Sequence, residues 1–502
     1  MKKTLFITVL TALICTTQSM AQTVTLDPAF GTGGIVDVPV DQANSSEAAY
    51  AMVLQNDGKI ILGGSKGQYA CLKRYNTDGS VDTAFGNQGL VNGAVTGLAT
   101  PIIYDVALTP DNKIIAAMTV DSKSMALVKF NTNGTIDTAF GINGVVAVDV
   151  YPNNSTLEVV TKVVVDANGK IVLFARLMQE SNYTAFVGRF EPNGIVDASF
   201  GSGYGIITQP MSWVHTGAVQ ADGKVLVLGT TYITSSIAAT TVSRYLTDGT
   251  PDVEFGNMGT QTLQGGLDDF YCRDMLLQPD GKIVVGGQGE PVTGIAGFCF
   301  GRLNTDGSLD TQFGTNGTSV FTTGNMGVGH KLALQPDGKI VASGFAGINI
   351  YGFTRITTNG TLDTTFGNNG LVTHYMDDNQ PNPSTGLVIQ PDGKILVGGS
   401  FFHQNTVNFM LMRYLNNITT GVKESNLPGL TVYPNPAQNI LYLKNAEDIE
   451  ISNLMVADSS GKIILQQAGS ASAINISMLP QGLYFLKIVT PQGNHMQKFI
   501  KQ

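Results

Sequence analysis

Short apolar runs broken by Gly, Asp and Asn recur along the chain, and the stretch from Leu26 to Tyr75 shows the pattern. Ile35-Val36-Asp37-Val38 predicts a short strand. A second strand is expected to lead into Asp57-Gly58, because Asp-Gly between apolar segments favours a tight hairpin whose backbone needs positive φ. Ile60-Ile61-Leu62-Gly63-Gly64 is apolar without alternation, which predicts a strand covered on both faces. Tyr69 to Tyr75 completes a four-stranded unit that ends at the basic Arg74.

The unit repeats. The element Leu26-Asp27-x-x-Phe30-Gly31-x-x-Gly34 recurs with its aspartate at Asp82, Asp137, Asp197, Asp252, Asp310 and Asp363, between 53 and 60 residues apart. The element Gln55-Asn56-Asp57-Gly58-Lys59-Ile60 recurs with its lysine at Lys113, Lys170, Lys224, Lys282, Lys339 and Lys394. A strand-ending basic residue falls at Arg74, Lys129, Arg189, Arg244, Arg302, Arg355 and Arg413, so each element is present seven times in one fixed order. Four-stranded sheets repeated radially at this period predict a β-propeller.

The ends of the array predict closure. An LDxxFG element opens the chain at Leu26, yet none follows Arg413-Tyr414, so the N-terminal strand is expected to complete the last sheet and leave no free edge. In six copies the basic residue precedes the aspartate by eight positions, as in Arg74 and Asp82. This spacing predicts a charge-assisted bond inside each blade, with Asp27 serving Arg413 across the closure. The expected fold is therefore all-β: a seven-bladed propeller over 22–417, a linker over 418–428, and a small β-sandwich of about seven strands over 429–502.

Composition narrows the setting. Charged residues make up 13% of the chain, about half the usual share. A net charge of −9 argues against a nucleic-acid partner, which calls for a basic face. Met1-Lys2-Lys3, the apolar run from Leu5 to Cys15 and Ser19-Met20-Ala21 predict a secretory signal peptide over 1–21. Ile14, where a lipoprotein signal has a small residue before its cysteine, disfavours lipid anchoring at Cys15. No later stretch has the roughly 18–20 apolar residues of a membrane helix. Beyond the leader only Cys71, Cys272 and Cys299 occur, too few for a disulfide framework.

Residues 22–417 resemble the delta-60 repeat family of bacterial secreted proteins, on the repeated LDxxFGxxG and DGK elements. Pro251 before Asp252 and Asp111-Asn112-Lys113 are local departures. The resemblance implies an extracellular propeller-like module and carries no catalytic residues with it.

The last 74 residues read differently. Val432-Tyr433-Pro434-Asn435-Pro436, the turn Ser460-Gly461-Lys462, Leu479-Pro480-Gln481-Gly482-Leu483-Tyr484-Phe485-Leu486-Lys487 and the terminal Lys498-Phe499-Ile500-Lys501 are similar to the type A sorting domain of the type IX secretion system of Bacteroidetes. That resemblance implies recognition of 429–502 by the secretion machinery, cleavage in the linker, and release or attachment to surface lipopolysaccharide. The expected location is extracellular or on the outer-membrane surface.

Candidate chemistry is sparse. Asn76-Thr77-Asp78-Gly79-Ser80-Val81-Asp82 alternates oxygen side chains as calcium loops do, but Asn133, Asn193 and Asn359 stand at the Asp78 position, which favours a turn requirement over a metal site. The histidines His215, His330, His374, His403 and His495 show no zinc spacing, and neither a GxSxG element nor a phosphate or dinucleotide loop is present. No metal or cofactor is expected. Trp213 and the tyrosines could stack on sugars or fill the space between blades.

One class of positions diverges among the copies. Nine and eight residues before each repeat lysine stand Tyr50 and Ala51, Tyr104 and Asp105, Thr161 and Lys162, His215 and Thr216, Arg273 and Asp274, His330 and Lys331, Thr385 and Gly386. These equivalent places are expected near the start of one strand in every blade, as a ligand face around one channel mouth or as solvated strand ends. The candidate face comprises Tyr104, Asp105, His215, Arg273, Asp274, His330 and Lys331. A non-enzymatic binding or display module with a glycan or protein ligand is the leading expectation. A polysaccharide hydrolase or lyase is the alternative, for which Asp105 and Asp274 are the carboxylates to consider.

Overall fold

The computed structural model describes residues 22–37, 46–93, 95, 98–150, 156–179, 182–201, 206–210, 213–233, 237–264, 269–290, 294–322, 327–347, 350–375, 385–403, 406–416, 431–444, 451–458, 463–469, 472–490 and 493–502. The expected leader and linker lie outside them, as does the Ser460-Gly461-Lys462 turn. Among the described residues every element is a β-strand, and no helix is long and apolar enough to cross a membrane.

The repeats form seven small antiparallel sheets among the described residues, six of four strands and one of five. Sheet 1 runs Glu47–Leu54, Ile60–Lys66, Tyr69–Tyr75 and Leu90–Asn92, each strand paired with the next. Its second strand is buried from Ile60 to Gly64, as the unbroken apolar run predicts. The first strands of sheets 2 to 7 are Ile102–Leu108, Leu157–Val165, Trp213–Val219, Asp269–Leu277, Val328–Leu334 and Gly386–Ile389. Each touches the first strand of the next sheet, and Gly386–Ile389 touches Glu47–Leu54.

The sheets are offset from the unit read from Leu26. The short strand after each FGxxG turn pairs back onto the preceding sheet, so Leu90–Asn92 is the outer strand of sheet 1. The Leu26 copy of the turn instead lies beside the last repeat sheet. Ile35–Asp37 and Val24–Leu26 therefore pair with Thr406–Asn416 of sheet 7, with Ile35 opposite Met412 and Leu26 opposite Tyr414. Around them Tyr351, Phe353, Met410, Met412 and Tyr414 form a buried cluster.

The recurrent polar residues have one shared task. In sheet 1, Arg74 Nε and Lys59 Nζ both bind Asp82 Oδ2, at 2.7 and 2.8 Å, and the Arg74 guanidinium lies 4.4 Å over the Phe85 ring. Arg74 Nη1 also donates to the Thr132 carbonyl of sheet 2, and Gly86 N donates to the Asn133 carbonyl at 2.9 Å. Gly86 takes φ +55 in the turn, where a Cβ would sit 2.5 Å from the Leu90 carbonyl oxygen. Asp-Phe-Gly is thus a clamp that holds its own sheet and bonds the next.

The clamp recurs at Arg189 and Asp197, Arg244 and Asp252, Arg302 and Asp310, Arg355 and Asp363, and Arg413 and Asp27, with Nε to Oδ2 distances of 2.7 to 2.8 Å. Sheet 2 departs from the expected bond. Lys129 donates to the Pro192 carbonyl at 3.3 Å, and Lys113 alone among the two lysines binds Asp137, at 2.8 Å. A single ammonium cannot reproduce the guanidinium fork that reaches carboxylate and neighbouring carbonyl together.

Residues 431–501 form seven described strands in two sheets, one ordered Thr431–Tyr433, Ile440–Lys444, Ala473–Asn475 and the other Ile463–Ala468, Asn453–Asp458, Gly482–Thr490, Gly493–Lys501. Leu441, Leu443, Leu454, Val456, Ile474, Leu486, Ile488 and Phe499 share one buried cluster contributed by both sheets.

Candidate functional site

The divergent pairs lie in the first strands, beginning at the third to fifth residue in sheets 1 to 6. They fall inside the strand at a β-bulge. Pairing slips between Ala49 and Ala51, Ile103 and Asp105, Val160 and Lys162, Val214 and Thr216, Cys272 and Asp274, and Gly329 and Lys331. The residue skipped each time is Tyr50, Tyr104, Thr161, His215, Arg273 or His330. A bulge frees one residue from the ladder and re-aims its side chain, so these six can differ without disturbing the sheet. In sheet 7, Thr385 precedes the strand, and its N and Oγ1 both donate to Gly398 O.

Close approach of the second strand makes room for the bulge. Gly64, opposite Ala49, would place a Cβ 1.8 Å from the Ala48 carbonyl oxygen, and Gly344 would do the same to Val328. At these two bulges only glycine fits opposite, whereas Met118 and Ala175 stand opposite the bulges of sheets 2 and 3.

The structure brings together His215, Arg273 and His330. Arg273 Nη1 donates to His330 Nδ1 at 3.3 Å, and since a guanidinium only donates, the His330 proton sits on Nε2. The His330 ring meets Phe345 edge-on at 5.5 Å. His215 Nε2 lies 2.8 Å from Thr230 Oγ1, and its ring meets Tyr271 at 4.7 Å. Arg273 in turn stands 5.1 Å over the Tyr271 ring. Burial, reinforced by the Arg273 charge, pulls both histidines down to about 3, so both rings are neutral at pH 7.

Sequence reasoning missed Arg176, Tyr183 and Tyr271, and favoured packing between blades over sugar stacking for Trp213. Arg176 lies 3.7 Å over the Trp213 ring, and Tyr183 approaches Trp213 at 5.3 Å. Arg176 also acts electrostatically on His215, Tyr104 and Tyr271, which places it beside the same cluster. Trp213 and Tyr271 both stand eleven residues before a repeat lysine, a register that could have grouped them. Arg176 comes from a second strand, and nothing in its local sequence marks it.

The remaining residues of the candidate face do other work. Asp105 Oδ2 accepts from Val163 N of sheet 3 at 2.8 Å and from Lys162 Nζ at 3.2 Å, which holds the Lys162 pKa above its ordinary value. Asp274 Oδ2 accepts from Leu332 N of sheet 6 at 2.8 Å. Both carboxylates thus tie one sheet to the next. Tyr104 stacks at a tilt on Tyr50 at 5.2 Å, and Lys331 adds its charge beside His330. Among the described residues no group of three metal-ligating side chains forms, and the Asp78 carboxylate is used inside its own turn by Ser80 N and Oγ.

Comparison with known proteins gives two family assignments. Residues 431–502 match the secretion system C-terminal sorting domain. Residues 55–85, 109–140, 220–255, 278–313, 335–366 and 390–417 match a β-propeller domain of unknown function, DUF5122. The copy around Lys170, Arg189 and Asp197 is not among the matched segments, although it forms the same clamp. The chain thus carries six segments that match the DUF5122 β-propeller repeat and a C-terminal match to the secretion sorting domain, which indicates export through type IX secretion to the cell surface or extracellular space.

No curated protein matches the sequence. Among solved structures, PorZ of Porphyromonas gingivalis, a surface component of the type IX secretion system, is 10% identical with a TM-score of 0.37, covering 93% of this chain. This chain spans 61% of the PorZ chain. A protein of unknown function from Dyadobacter fermentans is 12% identical with a TM-score of 0.38, over 76% of this chain and 100% of that one. The polysaccharide lyase Uly1 is 11% identical with a TM-score of 0.39, over 80% and 98%. Likeness at this level carries no inference about activity.

Proposed function

We propose that this chain is a binding module exported by type IX secretion, in which the repeats close as a seven-bladed propeller over 22–417 and the first strands present a ligand face. Residues 429–502 act in this reading as a β-sandwich that the secretion machinery recognises, after a signal peptide over 1–21. Cleavage in the linker over 418–428 then releases the propeller or passes it to surface lipopolysaccharide.

The observation that carries the binding reading is the contrast between two sets of equivalent positions. Clamp residues keep nearly one chemistry in every sheet, while the bulged residues change from Tyr to Thr, His and Arg at one backbone geometry. Freedom of that kind suits recognition on a rigid scaffold. The hydrolase or lyase alternative is disfavoured because Asp105 and Asp274 both accept bonds from a neighbouring backbone N–H.

The test has two arms. The intact chain and a chain lacking 431–502 are expressed in a type IX-competent host, and the deletion is expected to stay inside the cell. The exported protein is then screened on immobilised glycans and surface polymers, with product release measured in parallel. Binding without turnover supports the reading, and release of oligosaccharide overturns it in favour of an enzyme.

A further inference from the structure

The arginines of this chain fall into two groups. Six of them, Arg74, Arg189, Arg244, Arg302, Arg355 and Arg413, each hold an aspartate at 2.7 to 2.8 Å. Arg176 and Arg273 do not. Among the described residues neither guanidinium has a carboxylate within ion-pairing distance, although both are partly buried and both stand against aromatic rings.

Leaving a half-desolvated cation without a counter-charge costs stability, and the same chain avoids that cost six times elsewhere. Two nearby donors are also unused. Arg273 Nε and His330 Nε2 are buried and have no hydrogen-bond partner, and the tautomer argued above puts a proton on His330 Nε2. The carboxylates on the same face do not serve these donors, since Asp105 is bound to Val163 N and Lys162, and Asp274 to Leu332 N. Lys331 adds one further positive charge beside His330, whereas Lys162 is paired with Asp105, in a chain whose net charge is −9.

Trp213 and Tyr271 hold the guanidiniums by one face, which leaves their N–H edges for an oxyanion. Beside them the partly exposed Tyr50, Tyr104 and Tyr183 offer ring faces suited to the C–H surface of a sugar. We propose that Arg176, Arg273 and His330 form a site for an acidic saccharide, with a carboxylate or sulfate group completing the two arginines. The proposal rests on the binding-module reading and names its ligand class. A neutral saccharide would leave the arginines as unpaired as they are in the free protein.

The test is calorimetric titration of the intact chain with a galacturonate oligosaccharide, a sulfated oligosaccharide of equal length, a neutral galactose oligosaccharide and an acidic peptide. At least one acidic saccharide is expected to bind ten-fold or more tightly than the neutral one. Arg176→Gln and Arg273→Gln should each weaken it by about ten-fold or more, and Arg273→Lys should recover part of the loss. The melting temperatures of the free variants should equal or exceed that of the unmodified chain, because an uncompensated charge has been removed; a large fall would mark the arginines as structural and overturn the proposal. Equal affinity for neutral and acidic sugars, tighter binding of the peptide, or no binding of any acidic saccharide would also overturn it. Full binding of the acidic saccharide by Arg273→Gln would remove the acidic site yet leave the binding module standing.

Discussion

Arg413 Nε donates to Asp27 Oδ2 at 2.8 Å, joining residues 386 positions apart. Around that bond Lys394 Nζ approaches the same oxygen at 3.4 Å, and the Arg413 guanidinium covers the Phe30 ring at 4.4 Å. Gln22 extends the joint, since its carbonyl accepts from Gly367 N at 3.0 Å and its Nε2 donates to Asn416 at 2.7 Å. Arg413→Ala leaves a buried carboxylate with only the more distant Lys394 and the Ala29 N–H and is expected to cost about 3–5 kcal/mol. Chemical denaturation measures the loss. A cost below about 1 kcal/mol would mean that the N-terminal strands are held by their backbone ladder alone.

Sheet 2 offers the reverse experiment. Lys129 reaches the Pro192 carbonyl while Asp137 is bound by Lys113. Lys129→Arg restores a fork able to reach both and is expected to stabilise the chain by about 0.5–2 kcal/mol. An unchanged or lower melting temperature would show that the backbone of sheet 2 has adapted to lysine.

Gly344→Ala tests the bulge. The added Cβ would lie 1.8 Å from the Val328 carbonyl oxygen, a backbone atom that cannot turn aside. We expect a loss of about 1–3 kcal/mol or more, together with altered spectra for His330, which sits at the bulge opposite. Normal stability would mean that the second strand can shift outward.

Stability should fall with acidity in two stages. Below pH 6.5 an unfolded histidine takes up a proton, whereas folded His215 and His330 resist until about 3, so the folded state loses ground across that window. Burial pushes the Asp363 carboxyl up, but bonds from Lys339 and Thr365 and the Arg355 charge outweigh it and bring it down to about 2. Its contribution is complete above 3.8 and is lost as pH falls towards 2. Replacing both histidines by Gln should flatten the first stage of a melting-temperature profile and spare the second. A profile already flat between 6.5 and 3.8 would contradict the neutral histidines.

Much of this protein is written locally. The Asp27, Phe30 and Gly31 element, the Asp57-Gly58 turn and the buried run from Ile60 to Gly64 each follow from turn chemistry or strand patterning, and their repetition predicts the sheets. The eight-residue spacing of Arg74 and Asp82 predicts an ion pair because both flank one turn. Identity at that spacing hid the exception, since Lys129 carries the same charge as arginine but lacks its fork. The bulges were not legible, because a one-residue slip such as that between Ala49 and Ala51 is set by the pairing of two strands and not by the sequence of either one. Nor could the sequence join Arg176 to Trp213 or Arg273 to His330, which lie on different sheets. Local sequence determines turns, strands and the clamp that repeats them. Tertiary structure alone decides which side chains the bulges bring together, because a side chain's neighbours across sheets are set by packing at distances the local pattern does not encode.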